Sequence, residues 1–319
     1  ELGITSTLEA RVEEEGEVVI PAKLFSEIVR KTDSQEIQLS CDSRFLVEIK
    51  GGVSEFTILG MSGLEFPELP TVGEGESVFL PQDKLRSMVD QTLFAVAQND
   101  AKPVHTGCLF LLEESLATVV AVDGFRLALR REPAQVQQPM RFVVPGKSLN
   151  ELLKLLGDDD AQVELQVSRK HILFRVGDTS IVSRLLEGEF LDYNAAIPKE
   201  SSTVVKVSTR ALLSSIERVS LIISEKLKSP LRCVFGDGMV DITTKTAIGD
   251  AADQCPIDGD GQGLEIGFNN KYLMDALKAA PADKLRLEFS SSVAPCVILP
   301  AEGEETFVYM VLPVRLKAN

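Results

Sequence analysis

The apolar and polar positions of residues 142–156 (FVVPGKSLNELLKLL) predict a strand, a proline break and an amphipathic helix. Four leucines spaced i, i+3, i+4 and i+7 fall on one face of this helix. The opposite face carries two bases with an acid between them. The apolar face consists of Leu149, Leu152, Leu153 and Leu156, and the charged face consists of Lys147, Glu151 and Lys154. We expect the leucines to pack into a core and the charges to face solvent.

The same pattern occurs three times at a constant spacing of 124 residues, from position 23 to 147 and from 147 to 271. The related positions are a first base, an acid, a second base and two apolar residues: Lys23, Lys147 and Lys271; Glu27, Glu151 and Asp275; Arg30, Lys154 and Lys278; Phe25, Leu149 and Leu273; Val29, Leu153 and Leu277. A core pattern that repeats at domain-sized spacing predicts three copies of one domain.

Short runs of alternating apolar and polar residues predict strands around each helix. Early strands are predicted at 4–12, 36–41, 45–50 and 55–59, and strands of the third copy at 231–235, 239–243, 247–255 and 264–268. Helices are predicted at 21–31, 82–97, 208–223 and 269–279, besides the helix described above. The second and third copies then hold two helices each and about eight strands, an α+β domain of mostly antiparallel sheet.

The first copy contains only one helix. The counterpart of the strand that opens at Ser77 would lie before residue 1, at the spacing of the repeat. We therefore expect that most of the N-terminal half of the first domain is missing from this sequence. The alternative, a naturally half-sized first domain, would leave the helix at 21–31 without its packing partner.

Composition predicts a soluble, cytoplasmic protein. The chain has 319 residues and a formal charge of −15, and it shows neither an apolar run approaching a membrane helix nor a signal peptide. Its five cysteines are odd in number and lack CxxC spacing, which indicates buried free thiols in a reducing compartment. With two histidines far apart in sequence, we expect neither a metal site nor a cofactor.

Catalytic motifs are absent from the sequence: there is no P-loop, GxGxxG, GxSxG or HExxH. The carboxylate run at 158–160 follows Gly157 and is typical of a loop that ends a helix. Asp123 beside Gly124 is typical of a turn. The sequence predicts that the protein is not an enzyme.

Four motifs resemble those of the bacterial DNA polymerase III β sliding clamp family. They are VAVDGFRLAL at 120–129, GEFLDYNAAIP at 188–198, EIGFNNKYLMDAL at 265–277 and MVLPVRL at 310–316. The resemblance extends over residues 1–316 and implies three DNA-clamp domains per chain, at 1–74, 75–198 and 199–319. It further implies a ring, formed by a head-to-tail dimer around duplex DNA.

The resemblance implies a processivity factor for the replicative DNA polymerase. Such a ring is opened by an ATP-dependent clamp loader complex, and it docks other proteins that carry a clamp-binding motif. A homodimer is expected because three domains need a partner chain to close six, and no membrane is involved. The alternative is a peptide-binding scaffold that does not encircle DNA.

A DNA-binding protein is expected to be basic, yet the sequence pI is near 4.7. The conflict is resolved if the repeated helices present their bases to phosphates while the exterior is acidic. The predicted DNA-facing residues are Lys23, Arg30, Asn99, Lys102, Lys147, Lys154, Arg210, Lys271 and Lys278. The alternative is ordinary solvated helix surface. No base-reading motif is present, so binding without sequence preference is expected.

The resemblance also implies a hydrophobic groove for partner peptides between the second and third domains. Its predicted residues are Val122, Gly124, Arg126, Leu127, Leu191, Ala195, Ala196, Met310, Val311, Leu312, Pro313, Val314 and Arg315, with His105 and Pro295 at the margin. The two arginines are expected to hold backbone carbonyls or acidic groups. Leu191 stands where the family commonly has proline, and the two alanines replace larger residues, which indicates either a wider pocket or a shifted motif preference.

The predicted dimer interface pairs the edge strand at 53–59 with residues 221–223 and 249–253 of the neighbouring chain. Its apolar residues are Phe56, Ile58, Ile222 and Ile223. Pairing of strand edges would satisfy exposed backbone groups and bury these aliphatic side chains.

Overall fold

The computed structural model describes residues 2–73, 76–99, 102–224 and 229–316. The chain forms two compact units. The small unit is Thr7–Thr71, and the large unit joins Glu1–Ser6 to Val72–Asn319. Among the described residues, no helix is long and apolar enough to span a membrane.

The chain begins with strand β1 (Leu2–Ser6), which belongs to the large unit. The elements of the small unit follow: β2 (Val18–Val19), α1 (Ala22–Lys31), β3 (Gln38–Cys41), β4 (Leu46–Gly51), β5 (Ser54–Leu59) and β6 (Met61–Ser62). Strands β3, β4 and β5 form an antiparallel sheet with β5 at one edge, and β2 pairs with β6. Ile28 of α1 packs on Val47 and Ile49 of β4 to form a small core.

The next part of the large unit contains three helices. Its elements are β7 (Glu76–Pro81), α2 (Gln82–Leu93), β8 (Gly107–Glu113), β9 (Leu116–Val122), β10 (Arg126–Pro133), β11 (Met140–Pro145), α3 (Gly146–Leu153), β12 (Gln162–Val167), β13 (His171–Val176), β14 (Thr179–Arg184) and α4 (Tyr193–Ala196). The order of a strand, a helix and then several strands thus occurs twice in succession, once around α2 and once around α3.

The last part of the large unit repeats that order with longer strands. Its elements are β15 (Thr203–Ser208), α5 (Thr209–Ser220), β16 (Leu231–Thr246), β17 (Gly249–Phe268), α6 (Asn270–Ala279), β18 (Lys284–Phe289), β19 (Cys296–Pro300) and β20 (Phe307–Val311). Helices α1, α3 and α6 begin at residues 22, 146 and 270, which are again 124 apart. The repeat found in the sequence is therefore confirmed as a structural repeat.

Two antiparallel sheets organise the large unit. One has the order β1-β14-β13-β12-β7, and the other β11-β8-β9-β10-β20-β19-β18-β15-β17-β16. The side chains of the ten-stranded sheet alternate between two clusters, because successive residues of a strand point to opposite faces. Helices α2, α3, α5 and α6 cover one face, here called the helix face, and share its core. The opposite face, here called the groove face, carries a second apolar cluster.

Several predicted bounds differ from the structure. The strand predicted at 4–12 ends at Ser6 and pairs with β14, which lies more than 170 residues further along the chain. The helix predicted at 208–223 ends at Ser220, because Leu221 leaves the apolar face and is 83% exposed. The strands predicted at 247–255 and 264–268 form the single strand β17. That strand continues through Gly259 and Gly263, whose positive φ angles suit bulges as well as turns.

Four of the five cysteines are buried free thiols, as predicted, whereas Cys41 is exposed. Burial raises the pKa of Cys108 and of Cys233 to about 12, so both thiols stay protonated at neutral pH.

Candidate DNA-facing helices and peptide groove

The first base of each repeat lies exposed on its helix. Lys23 of α1, Lys147 of α3 and Lys271 of α6 are all exposed, and none forms an ion pair with another described residue. In α3 the buried side chains are Ser148, Leu149 and Leu152, and the two leucines anchor the opposite face in the core. The predicted division into an apolar face and a charged face is confirmed for this helix.

The second base of each repeat has a partner. Lys154 Nζ lies 2.8 Å from Glu151 Oε2, and Lys278 Nζ lies 3.0 Å from Glu217 Oε1. Arg30 donates a hydrogen bond of 3.3 Å to Ser26 Oγ. The ammonium groups of the two lysines are therefore already balanced by carboxylates, unlike those of the first bases.

The remaining predicted DNA-facing residues are exposed. Arg210 lies in the first turn of α5, and Asn99 and Lys102 flank a loop whose residues 100–101 are outside the described part. Their contact with DNA stays a prediction.

The floor of the groove is a row of side chains across neighbouring strands of the groove face. Leu127 of β10 pairs with Val122 of β9 on one side and with Met310 of β20 on the other. All three side chains are at least 95% buried in the second apolar cluster. Leu312 and Ala196 pack against this cluster from the side. Five of the predicted residues are thus brought together.

The other predicted groove residues lie around this floor with greater exposure. Leu191 is 41% exposed. Gly124 lies in an open turn with a φ of 89°, an angle that a residue with a Cβ adopts only at a cost in free energy. Val314 donates a backbone hydrogen bond of 2.8 Å to Gly267, which holds the C-terminal segment against β17. The remaining predicted members are half-buried or exposed: Ala195, Pro313 and Arg315.

One residue predicted to line the groove, Val311, does not turn its side chain to the groove face. Val311 is completely buried in the core of the helix face, on the opposite side of the sheet from Met310. The physical reason is the two-residue period of a strand, which turns neighbouring side chains to opposite faces.

The environment of Arg126 differs from the one expected of a side chain that binds a partner peptide. Its Nε donates to Asp123 Oδ2 at 2.9 Å, and its Nη1 donates to Asp275 Oδ2 at 2.6 Å. The guanidinium also lies over the rings of Tyr272 and Phe94, 4.6 and 5.4 Å from their centroids. The residue is 93% buried, and two of the three nitrogens of its guanidinium already donate to carboxylates of this chain.

The sequence did not single out two aromatic residues that lie near the C-terminal groove segment, Phe125 and Tyr272. The ring of Phe125, which is 57% exposed, stacks on the ring of Tyr272 with centroids 5.8 Å apart and planes 22° apart. The Phe125 carbonyl accepts a hydrogen bond from Leu312 N at 2.9 Å. An aromatic residue directly after an Asp-Gly turn was the available signal for Phe125, while Tyr272 is 147 residues distant in sequence.

His105, at the predicted margin, packs edge-on against Phe190 with ring centroids 5.2 Å apart. Burial, and to a lesser degree the positive charge of Lys102, lowers the pKa of His105. The imidazole is therefore neutral at pH 7 and contributes an apolar edge to this end of the groove face.

Two of the residues predicted for the dimer interface, Phe56 and Ile58, lie on an edge strand. Strand β5 is an edge strand, and its Phe56 is 39% exposed while Ile58 is half-buried. In the large unit, residues 249–256 of β17 pair with β16, and β15 meets β17 only at Ile257 and Asp258 among the described residues. That stretch therefore offers backbone groups on one side. Ile222 and Ile223 are half-buried and follow the end of α5.

The chain repeats a domain at constant spacing and builds it from antiparallel sheets. It carries basic helices on one face and an apolar groove on the other. These features together define the class of DNA clamps. The chain matches three domain families, described as the N-terminal, central and C-terminal domains of the DNA polymerase III beta subunit, over residues 1–70, 79–192 and 194–315. The chain belongs to this family, the bacterial β sliding clamps.

Individual relatives agree with that assignment. The beta sliding clamp of Halalkalibacterium halodurans is 35% identical over 311 residues, which cover 95% of this chain and 82% of the relative. A crystal structure of a putative DNA polymerase III beta subunit from Eubacterium rectale is 34% identical with a TM-score of 0.91, covering 98% of this chain and 85% of that one. The sliding clamp of Bacillus subtilis is 30% identical with a TM-score of 0.90, covering 99% and 86%.

Proposed function

We propose that this DNA sliding clamp closes as a head-to-tail homodimer around duplex DNA in the cytoplasm. It catalyses no reaction and holds the replicative polymerase at the template. The observation that carries the proposal is the recurrence of an exposed, unpaired lysine at the same place on α1, α3 and α6, as far as the described residues extend. An exposed lysine whose ammonium group has no carboxylate partner among the described residues is available to contact phosphates at each repeat. Such contacts do not read bases, as a protein that slides on DNA requires.

The proposed contacts with partners use the groove face. A short peptide of the type QLxLF from the polymerase or the clamp loader packs its aliphatic and aromatic side chains between Leu312, Phe125 and Leu191. Burying two such side chains contributes roughly 3–6 kcal/mol before the cost of ordering, which by itself corresponds to a Kd no tighter than about 40 μM. Any tighter binding of a whole partner comes from its further contacts. The division into domains at 1–74, 75–198 and 199–319 is part of the same proposal.

The proposal is tested by primer extension on a primed circular template with polymerase and clamp loader. Addition of the protein is expected to lengthen the products, because a tethered polymerase does not dissociate between nucleotides. The double variant Phe125→Ala, Leu312→Ala is expected to bind a fluorescent QLxLF peptide at least about tenfold more weakly, since each truncation removes a large apolar side chain. It is also expected to give shorter products.

Phe79→Ala is the matched control, because Phe79 is 56% exposed on the other sheet and Phe125 is 57% exposed. The buried Met310 is left intact so that the core keeps its packing. Equal peptide affinity in wild type and the double variant would reject the groove. Products of the same length in reactions that lack the protein, or that contain it as a monomer, would favour the alternative of a scaffold that does not encircle DNA.

A further inference from the structure

A cavity of about 320 Å³ lies on the groove face, next to the groove. Its floor is formed by Val297, Leu299 and Val308, and residues 197–199 form one of its walls. We call it the junction cavity. The floor side chains are at least 95% buried and belong to the same apolar cluster as the groove floor.

The junction cavity is continuous with the groove through the sheet. Val297 of β19 pairs with Met310 of β20, so one row of side chains extends from the groove floor into the cavity floor. Helix α4 and the residues that follow it lie above this row. Ala196 packs on the cluster, whereas Asn194 and Ile197 line the cavity.

Five charged side chains surround the cavity, and two of them are unpaired within the described part of the chain. Arg286 Nε lies 2.7 Å from Glu288 Oε1, and Arg286 Nη2 lies 2.5 Å from Glu305 Oε1, so one base meets two acids. Arg131, which is half-buried, and Lys199, which is exposed, form no ion pair with any described residue. The cavity therefore carries a net positive charge in a chain whose formal charge is −15.

We propose that the junction cavity binds an acidic segment that flanks the hydrophobic motif of a partner peptide seated in the groove. The apolar floor accepts the methylene groups of an aspartate or glutamate, and Arg131 and Lys199 pair with its carboxylate. This inference rests on the proposed function of the groove. The occupant is a protein and not DNA, because the unpaired lysines of α3 and α6 lie on helices that cover the opposite face of the sheet.

The test compares three fluorescent peptides on the intact protein. One contains QLxLF with neutral flanks, and the others add three aspartates before or after the motif. One acidic peptide is expected to bind about fivefold more tightly than the neutral peptide at about 0.1 M salt, and the gain is expected to vanish near 1 M salt. The variant Arg131→Gln, Lys199→Gln is expected to lose this gain and to bind the neutral peptide as wild type does.

Arg169→Gln, Lys170→Gln is the matched control, since it removes the same charge from an exposed turn between β12 and β13. The proposal is overturned if neither acidic extension strengthens binding, or if the control loses the gain equally. It is also overturned if the cavity variant weakens DNA binding and leaves the acidic peptides unaffected. Failure of the neutral peptide to bind wild type would reject the groove itself, a separate result.

Discussion

The variants Ile223→Asp and Phe56→Asp are each expected to sediment as monomers of 34.8 kDa, whereas the wild type sediments at twice that mass. The two residues lie on the surfaces that the proposed head-to-tail dimer would bring together. An aspartate placed in an apolar interface is desolvated without a partner, which costs about 3 kcal/mol and weakens the dimer by more than about a hundredfold.

The two variants differ in their risk to the fold. Ile223 is half-buried and packs against the core of the large unit, while Phe56 lies on the edge strand of the small unit. Circular dichroism and thermal unfolding of both variants separate a dissociated dimer from an unfolded chain. Val293→Asp is the control, because Val293 is 80% exposed in the loop between β18 and β19 and is not among the residues predicted for the interface. A dimer that persists in both variants would contradict the proposed interface.

The pair Lys147→Gln, Lys271→Gln is expected to reduce the salt dependence of duplex DNA binding, measured by fluorescence anisotropy. Each phosphate that is no longer neutralised lowers the slope of log affinity against log salt by about 0.9, hence by about 3.6 for the four lysines of a dimeric ring. Affinity at low salt is expected to fall accordingly. Both lysines are exposed and form no ion pair with a described residue, so their removal leaves the folded state intact.

Lys154→Gln, Lys278→Gln is the matched control on the same two helices. It removes the same charge, but these ammonium groups are balanced by Glu151 and Glu217. A change in slope of less than about half that of the first pair is expected. Equal slopes in the two variants and the wild type would mean that the helices present ordinary solvated surface.

The periodic features of the fold could be predicted from the sequence. The spacing of Lys23, Lys147 and Lys271 located three equivalent helices. The repeated core face is not equally buried in them, since Val29 of α1 is 38% exposed and Ile28 is the buried residue of that helix. The motif around Gly124 likewise located the strand pair β9 and β10. The position of Val311 was also predictable, since neighbouring residues of a strand face opposite sides.

Other features depend on contacts between residues far apart in the chain. Arg126 meets Asp275 across 149 residues, and nothing in the sequence around either indicates the pair. Strand β1 joins β14 because an edge strand with unpaired backbone groups accepts a partner wherever the fold offers one. The continuity of β17 through two glycines with positive φ depends on its long partner β16. The junction cavity combines side chains from five separate segments.

Retention on nicked circular DNA is the most direct test of encirclement. The protein is loaded by the clamp loader onto the circle, freed of unbound protein by gel filtration at high salt, and the circle is then cut once. A ring around DNA is expected to co-elute with the circle and to leave it within minutes of linearisation, because phosphate contacts are screened at high salt and only topology retains the ring. The account would be contradicted if the protein remained bound to the linear DNA. It would also be contradicted if the protein did not co-elute with the circle in gel filtration.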